Sequence, residues 1–239
     1  IIEPNPDREF SYSGGGFQIA QAVVEAQSGE AFEATMAKYV LNPVGMSAST
    51  FDLKAPGGSA DGVATATNGD GTPVEGGWHV YPEQAAAGLW TTPSDYTKFV
   101  LALMADNSVS AGLSSATASE VLKPVSAAYG LGIGVEDADG RLRLRHGGSN
   151  RGYRCFFLAY PETGEVFVLM TNSANGSQLG AEIIRAASSA YGWPNEESKS
   201  VIRAVLEGSQ LARFAGSYAL PGSPDPYASL SVSGGDLIG

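Results

Sequence analysis

From Tyr129 to Ser173 the chain reads YGLGIGVEDADGRLRLRHGGSNRGYRCFFLAYPETGEVFVLMTNS, and this stretch decides the fold. Tyr129–Val135 and Arg141–His146 predict two strands joined through Asp139-Gly140, a dipeptide suited to a tight hairpin turn. Tyr153–Tyr160 and Val166–Thr171 predict two more, joined through Pro161-Glu-Thr-Gly164. Turns this short connect antiparallel neighbours, since parallel strands need a crossover of a dozen or more residues. A helix over Gln178–Tyr191 follows, with Leu179, Ile183, Ile184 and Ala187 expected on its buried face.

Upstream of this stretch the hydrophobic period is helical. Phe17–Gln27 predicts a helix with Ile19, Ala20, Val23 and Val24 on one face, ended by Ser28-Gly29. A second spans Ala31–Leu41, until Pro43 and Gly45 stop it. Thr92-Pro-Ser-Asp95 starts a third: Thr92 caps, Pro93 fits the first position, and Asp95 closes a capping-box-like arrangement. It continues through Phe99, Val100, Leu103 and Met104, and a short helix over Thr117–Lys123 precedes Pro124. Residues 54–88 show no period; a stretch of that length inside a domain usually carries function or wraps a site.

The expected fold class is α+β, an antiparallel sheet flanked by helices. Residues 1–194 form the expected core and 195–208 a linker helix. Residues 209–239 begin a β-rich domain with strands at Phe214–Leu220 and Ser229–Ser233. The sequence stops just after the Gly234-Gly235 turn, where a hairpin partner is due, and the fold is expected to be incomplete at both ends.

Composition narrows the chemistry. With 43% hydrophobic and 16% charged residues among 239, a folded core is expected rather than disorder. A formal net charge of −11 repels polyanions, so nucleic acid is not an expected partner. The alternating Arg141, Arg143 and Arg145 read as the solvated face of a strand. Cys155 is the only cysteine, and its apolar neighbours make it an expected core residue. Two separated histidines, His79 and His146, give no zinc spacing; no metal or cofactor is expected. No apolar run approaches the roughly 20 residues that span a bilayer, and the compartment stays open.

Two segments carry residues suited to catalysis. Phe10-Ser-Tyr-Ser-Gly-Gly-Gly-Phe17 puts a tyrosine on a Gly-rich loop before a helix, and His146-Gly-Gly-Ser-Asn-Arg-Gly152 ends a strand in small residues beside a histidine. Taken alone, Tyr12 also fits a turn tyrosine packed on the helix, and His146 a strand-end histidine bonded to backbone. Both have catalytic readings: a phenol, with an ordinary pKa near ~10, acts as a base when cations stabilise its phenolate, and an imidazole passes protons near neutrality. Gly147 and Gly148 leave room for a substrate against the strand edge. Trp78 and His79, in the irregular segment, are candidate pocket-lining residues.

The order of these segments resembles the serine hydrolases that include class C β-lactamases, D-alanyl-D-alanine peptidases, D-aminopeptidases and related esterases. The resemblance covers about residues 5–192, including Leu41-Asn-Pro-Val-Gly-Met46 and Ala87-Gly-Leu-Trp-Thr-Thr-Pro-Ser-Asp95. It implies that Tyr12 is the catalytic tyrosine and His146 stands where the family has Lys or His. It also implies that the Ser149 N–H is an oxyanion donor. Gly14 replaces the Asn of the family's Tyr-Ser-Asn loop, and His146 in place of Lys removes a permanent positive charge. Both departures favour an esterase or a D-amino-acid peptidase over an efficient β-lactamase.

The family's nucleophile is the serine of Ser-x-x-Lys, which one helical turn places beside its lysine. Three residues before Lys38, Lys54, Lys98, Lys123 and Lys199 stand Thr35, Phe51, Asp95, Glu120 and Glu196, none of them serine. Thr35-Met-Ala-Lys38 comes nearest but follows Tyr12, the reverse of the family order. The expectation is that the segment comes from a companion chain or a missing N-terminal part, acting on a small-molecule or peptide substrate. A non-catalytic peptidoglycan- or ligand-binding pseudoenzyme is the alternative.

Overall fold

Asp139 (φ 53°) and Gly140 (φ 83°) both occupy the left-handed region, which lets a two-residue turn follow the twist of its strands. This turn joins β1 (Gly134–Ala138) to β2 (Arg141–Asn150), with Ala138 opposite Arg141. β3 (Tyr153–Tyr160) and β4 (Glu165–Thr171) complete a four-stranded antiparallel sheet in the order β1-β2-β3-β4. The first strand begins at Gly134 instead of Tyr129, because the Gly130 N–H bonds to the Ile133 carbonyl and folds the intervening residues into a turn. β2 instead runs past His146 to Asn150.

The computed structural model describes residues 10–54, 62–105, 114–125, 128–194, 206–219 and 228–238. The chain divides into two units, Ile1–Glu197 and Ser198–Gly239.

Strand alternation sorts the sheet into two faces. On one, Val135, Leu144, Phe157 and Ala159 bury against Val100 and Leu103 of α5 (Pro93–Met104) and Ala118 of α6 (Ser115–Leu122). On the other, Leu158 and Tyr160 pack with Trp193 and with Ile184 of α7 (Gly176–Tyr191). The buried stripe of α7 is Gly176, Gly180, Ile184 and Ser188, while Leu179 is 55% exposed, contrary to expectation. Small residues win that face because the helix lies close to β4. A Cβ on Gly180 would come within 2.7 Å of the Leu169 side chain.

The helical part has its own small core of Phe32, Leu41, Met46 and Phe51. α1 (Gly14–Ser28) starts three residues earlier than the apolar period implies, since Ser13 Oγ accepts the Gly16 N–H at 3.0 Å and caps it. Of its expected apolar face only Val24 packs against this core, while Ile19 and Val23 are 58% and 55% exposed. The helix turns Gln21 inward instead, bonding Gln84 Oε1 and the Ala85 N–H next to α4 (Gln84–Ala87). The second expected helix runs without interruption through α2 (Phe32–Met36), a π turn over Ala37–Leu41 and α3 (Asn42–Val44), and Gly45, at φ 78°, ends it.

Two polar expectations are also corrected. Thr92 caps α5 by accepting the Asp95 N–H, but the Asp95 carboxylate does not reach back to close the box. It accepts from the Ala48 N–H, Ser49 Oγ and Lys98 Nζ at 2.7, 3.0 and 2.7 Å. Burial pushes its pKa up, but the Lys98, Ala48 and Ser49 donors outweigh this and hold it below the usual range. The alternating arginines are only in part a solvated face, since Arg145 is exposed but Arg143 is buried, and all three are paired. Arg143 and Arg145 both clasp Glu136, at 2.7 and 2.8 Å, and Arg141 pairs with Glu165 at 2.8 Å.

In the second unit, α8 (Gly208–Leu211) and a 3-10 turn over Ala212–Phe214 lead into an antiparallel sheet of β5 (Gly216–Tyr218), β6 (Ala228–Ser233) and β7 (Asp236–Ile238). Phe214 thus belongs to a turn, and β7 is the partner due after Gly234-Gly235. Residues 195–205 of the expected linker lie outside the described residues. Among the described residues no strand pairs with the free side of β4, and no helix is long and apolar enough to cross a membrane.

Candidate active site

Tyr12 is placed by the residue that follows it. Ser13 is the extended cap of α1, so the tyrosine is held just outside the helix with its ring 66% exposed. His146 reaches the same point from β2, where it stands opposite Phe157 of β3. The two rings stack with centroids 6.1 Å apart. Tyr129 stands edge-on to His146 at 6.5 Å and stacks on Phe10 at 4.6 Å, so the imidazole has aromatic neighbours on two sides.

The backbone of β2 supplies the third element. In a two-residue hairpin the closing pair exchanges both hydrogen bonds, so Arg141 points its N–H and C=O toward β1. Every second residue after it does the same, which turns the amides of Gly147 and Ser149 to that side. β1 pairs no further than Gly134 with Arg145. Beyond that point the Ser149 N–H therefore faces the open edge of β2, two residues along the strand from Gly147 and three from His146.

A cleft of about 1760 Å³ opens here, lined by Tyr12, Gly14, His146, Gly147, Gly148, Ser149, Asn150 and the 84–93 segment, and it extends round the free edge of β4. Its apolar wall includes Tyr96, Phe157, Val168 and Met170. Burial pushes the Tyr96 phenol up to about 12. Cys155 corrects the expectation of a core residue: it is an exposed free cysteine on this wall. Neighbouring groups still desolvate its thiol in part, which pushes the pKa up. The two glycines of β2 prove unequal. A Cβ on Gly148 would stand 2.4 Å from Cys155 Sγ, whereas one on Gly147 meets nothing closer than 3.8 Å. A Cβ on Gly14 would likewise make only ordinary contact, 3.8 Å from Ala86, so packing does not demand glycine there.

The irregular segment forms one end of the cleft. Tyr81 Oη accepts the Arg151 N–H at 2.8 Å, Tyr153 Oη donates to the Ala64 carbonyl at 2.5 Å, and Asn172 Nδ2 donates to the Thr65 carbonyl at 2.9 Å. Gly152, at φ 73°, lies under the same loop, where a Cβ would be 2.7 Å from Ala66. His79 lines the cleft and tilts against Tyr81 at 6.5 Å. Trp78 does not line it, but packs edge-on at 5.8 Å against Trp90, which does.

Thr35 and Lys38, the nearest formal match to Ser-x-x-Lys, stand apart from this cleft. Thr35 is buried against Ser28 Oγ at 3.1 Å, and Lys38 pairs with Glu30 at 2.9 Å. Tyr81, Tyr153 and Asn150, which line the cleft, and Tyr129, which stands against His146 beside it, are residues that the motifs did not single out. Tyr129 reaches the site only through the turn at Gly130–Ile133, and Tyr81 only through its bond to Arg151, and neither contact leaves a local pattern. Asn150 and Tyr153 do leave one, since they continue the face of His146 and Gly148 across the β2–β3 turn.

The sequence profile of the Beta-lactamase family matches residues 2–191. No curated protein matches the chain. Among solved structures, a penicillin-binding protein from Bacillus halodurans is 23% identical with a TM-score of 0.62, covering 74% of this chain and 56% of its own. SurE with D-Leu is 21% identical with a TM-score of 0.64, covering 95% and 54%. A D-amino acid amidase from Ochrobactrum anthropi SV3 is 20% identical with a TM-score of 0.55, covering 70% and 50%. The chain therefore spans about half the length of the structures it resembles. Its sheet, its helices and a profile match over most of its length agree: the chain belongs to the Beta-lactamase family.

Proposed function

We propose that this chain supplies the proton-handling and oxyanion-binding part of a serine hydrolase, which forms an acyl-enzyme on an ester or amide carbonyl. One observation carries the reading: Tyr12 stacks on His146 at the edge of a cleft into which the strand beyond His146 turns the Ser149 N–H. The nucleophile is a serine of a Ser-x-x-Lys segment, from a companion chain or an N-terminal part, seated in the cleft beside Tyr12. Tyr12 takes the proton from the serine Oγ as that oxygen bonds to the carbonyl carbon. The carbonyl oxygen becomes negative and accepts the Ser149 N–H; the serine's own N–H completes the hole. The bond to the leaving group then breaks, and the leaving group takes the proton back from Tyr12, with His146 as relay. Water repeats the sequence to release the acid. The D-amino acid amidase and D-stereospecific amidohydrolase among the similar folds support an ester or amide of a D-amino acid over a β-lactam.

The lack of a serine three residues before any lysine favours a second reading, a non-catalytic ligand-binding protein that uses the same cleft. A fluorophosphonate probe separates the two. The protein completed by its serine segment takes a covalent label as an enzyme and none as a binder. In the labelled protein Tyr12→Phe lowers kcat by about 10²–10⁴-fold, the usual scale for loss of a general base. Full turnover by that variant removes Tyr12 from the role.

A further inference from the structure

We propose that the cleft beyond Ser149 is an acyl-side subsite for an aromatic acyl group that carries an N–H, walled by Tyr81 and Tyr153 with Asn150 as the acceptor. This rests on reading the cleft as a hydrolase site.

His146, Gly148 and Asn150 share one face of β2, and Tyr153 opposite Asn150 extends that face across the turn. Asn150 Nδ2 donates to the Ala87 carbonyl at 3.0 Å. That acceptor fixes which end of the amide is nitrogen, and it leaves Oδ1 without a protein partner among the described residues, in a residue that lines the cleft. An amide N–H on the acyl group satisfies it; a carboxylate there would set acceptor against acceptor.

The walls are aromatic bodies with their polar ends already engaged. Tyr81 Oη is held by the Arg151 N–H and Tyr153 Oη by the Ala64 carbonyl, so both rings are fixed and what they offer is apolar ring surface. Arg151 Nε also bonds Asn68 Oδ1 at 3.1 Å, which anchors the loop from a second side. His79, tilted on Tyr81, and Trp90 line the same cleft. Rigid ring faces beside one free acceptor select a flat apolar group bearing an N–H, over a small alkyl group or an anion.

The protein's own tryptophans report binding. Trp90 lines the cleft and Trp78 packs on it, while Trp193 is buried among Tyr160, Phe167 and Tyr191 and gives a constant background. Three probes are titrated: N-acetylphenylalaninamide, N-acetylalaninamide, which lacks the ring, and 3-phenylpropanamide, which lacks the acyl-side N–H. The first should quench saturably with a Kd about tenfold below each of the others, a discrimination one ring contact or hydrogen bond supplies. Tyr81→Ala should erase the ring preference, and Tyr81→Phe, which keeps the ring, should retain it. Equal affinity for the three probes, no saturable quenching, or an unchanged preference in Tyr81→Ala overturns the proposal. A protein that shows the preference yet takes no fluorophosphonate label when completed by its serine segment contradicts the hydrolase reading and leaves the subsite standing. A labelled protein indifferent to the ring contradicts the subsite alone.

Discussion

A Cβ at residue 148 would stand 2.4 Å from the sulfur of Cys155, directly across β2 and β3. An alanine at 148 would make the Cys155 side chain turn aside, which an exposed cysteine can do. Gly148→Ala should cost at most about 1 kcal/mol of unfolding free energy, the low end of the overpacking range, because the exposed Cys155 side chain can yield. Combining it with Cys155→Ala, which removes the sulfur, should restore most of that loss. Urea denaturation of the two single variants and the double variant measures the coupling; strictly additive losses would mean that the contact does not explain the glycine. At this scale the meeting of Tyr12 with His146 was legible because each sits in a short segment whose order in the chain carries meaning; their catalytic roles, and that of Ser149, belong to the proposal. Cys155 was misread because apolar neighbours in sequence do not say whether a strand's face is covered. Tyr129 comes to His146, and Tyr81 to the cleft, through distant contacts that leave no local signature.

The strands and their turns could be read because two- to four-residue connections leave only one pairing. Tyr153–Tyr160 falls where the sequence places it, and β4 begins one residue early. The helix faces were less legible, because a buried stripe depends on what lies opposite: α7 turns glycines to β4, and α1 turns Gln21 to Gln84. The β3–β4 turn shows how a charged cluster sets such an element. Glu165 accepts from Thr163 Oγ1, from Trp193 Nε1 at 3.0 Å and from Arg141 Nη2 at 2.8 Å, which ties the turn to β2 and to the residues after α7. The Thr163, Trp193 and Arg141 donors hold its pKa at about 2, below the ordinary 4.5. A carboxyl with a depressed folded pKa adds stability that is fully present above the unfolded value and is lost as pH falls toward the folded one. Glu165→Gln should therefore be less stable than the parent at neutral pH, and the gap should close between pH 4.5 and about 2. Urea unfolding of both proteins across that window measures it; a gap independent of pH would show that the carboxylate's charge does not hold the turn.

At the scale of the molecule, every residue of β4 is partly exposed, although Val166, Phe167, Val168, Leu169 and Met170 give it the composition of an interior strand. The cleft follows that edge onto both faces of the sheet, and an open apolar edge is a surface that another strand can cover. The family was legible because motif order survives where overall identity to solved structures is only 18–23%. The substrate was not, because the residues proposed to select it come together from β2, the β2–β3 turn and the 62–81 segment. The central claim is that this chain polarises a carbonyl and moves protons but holds no nucleophile of its own. The direct measurement takes the purified 239-residue protein, assays it with a chromogenic ester in the presence and absence of a fluorophosphonate, and records its intact mass. The account predicts no turnover above buffer and no adduct, with both appearing once the Ser-x-x-Lys segment is supplied. Turnover by the chain alone, abolished by the probe with an adduct on one of its own serines, would contradict it.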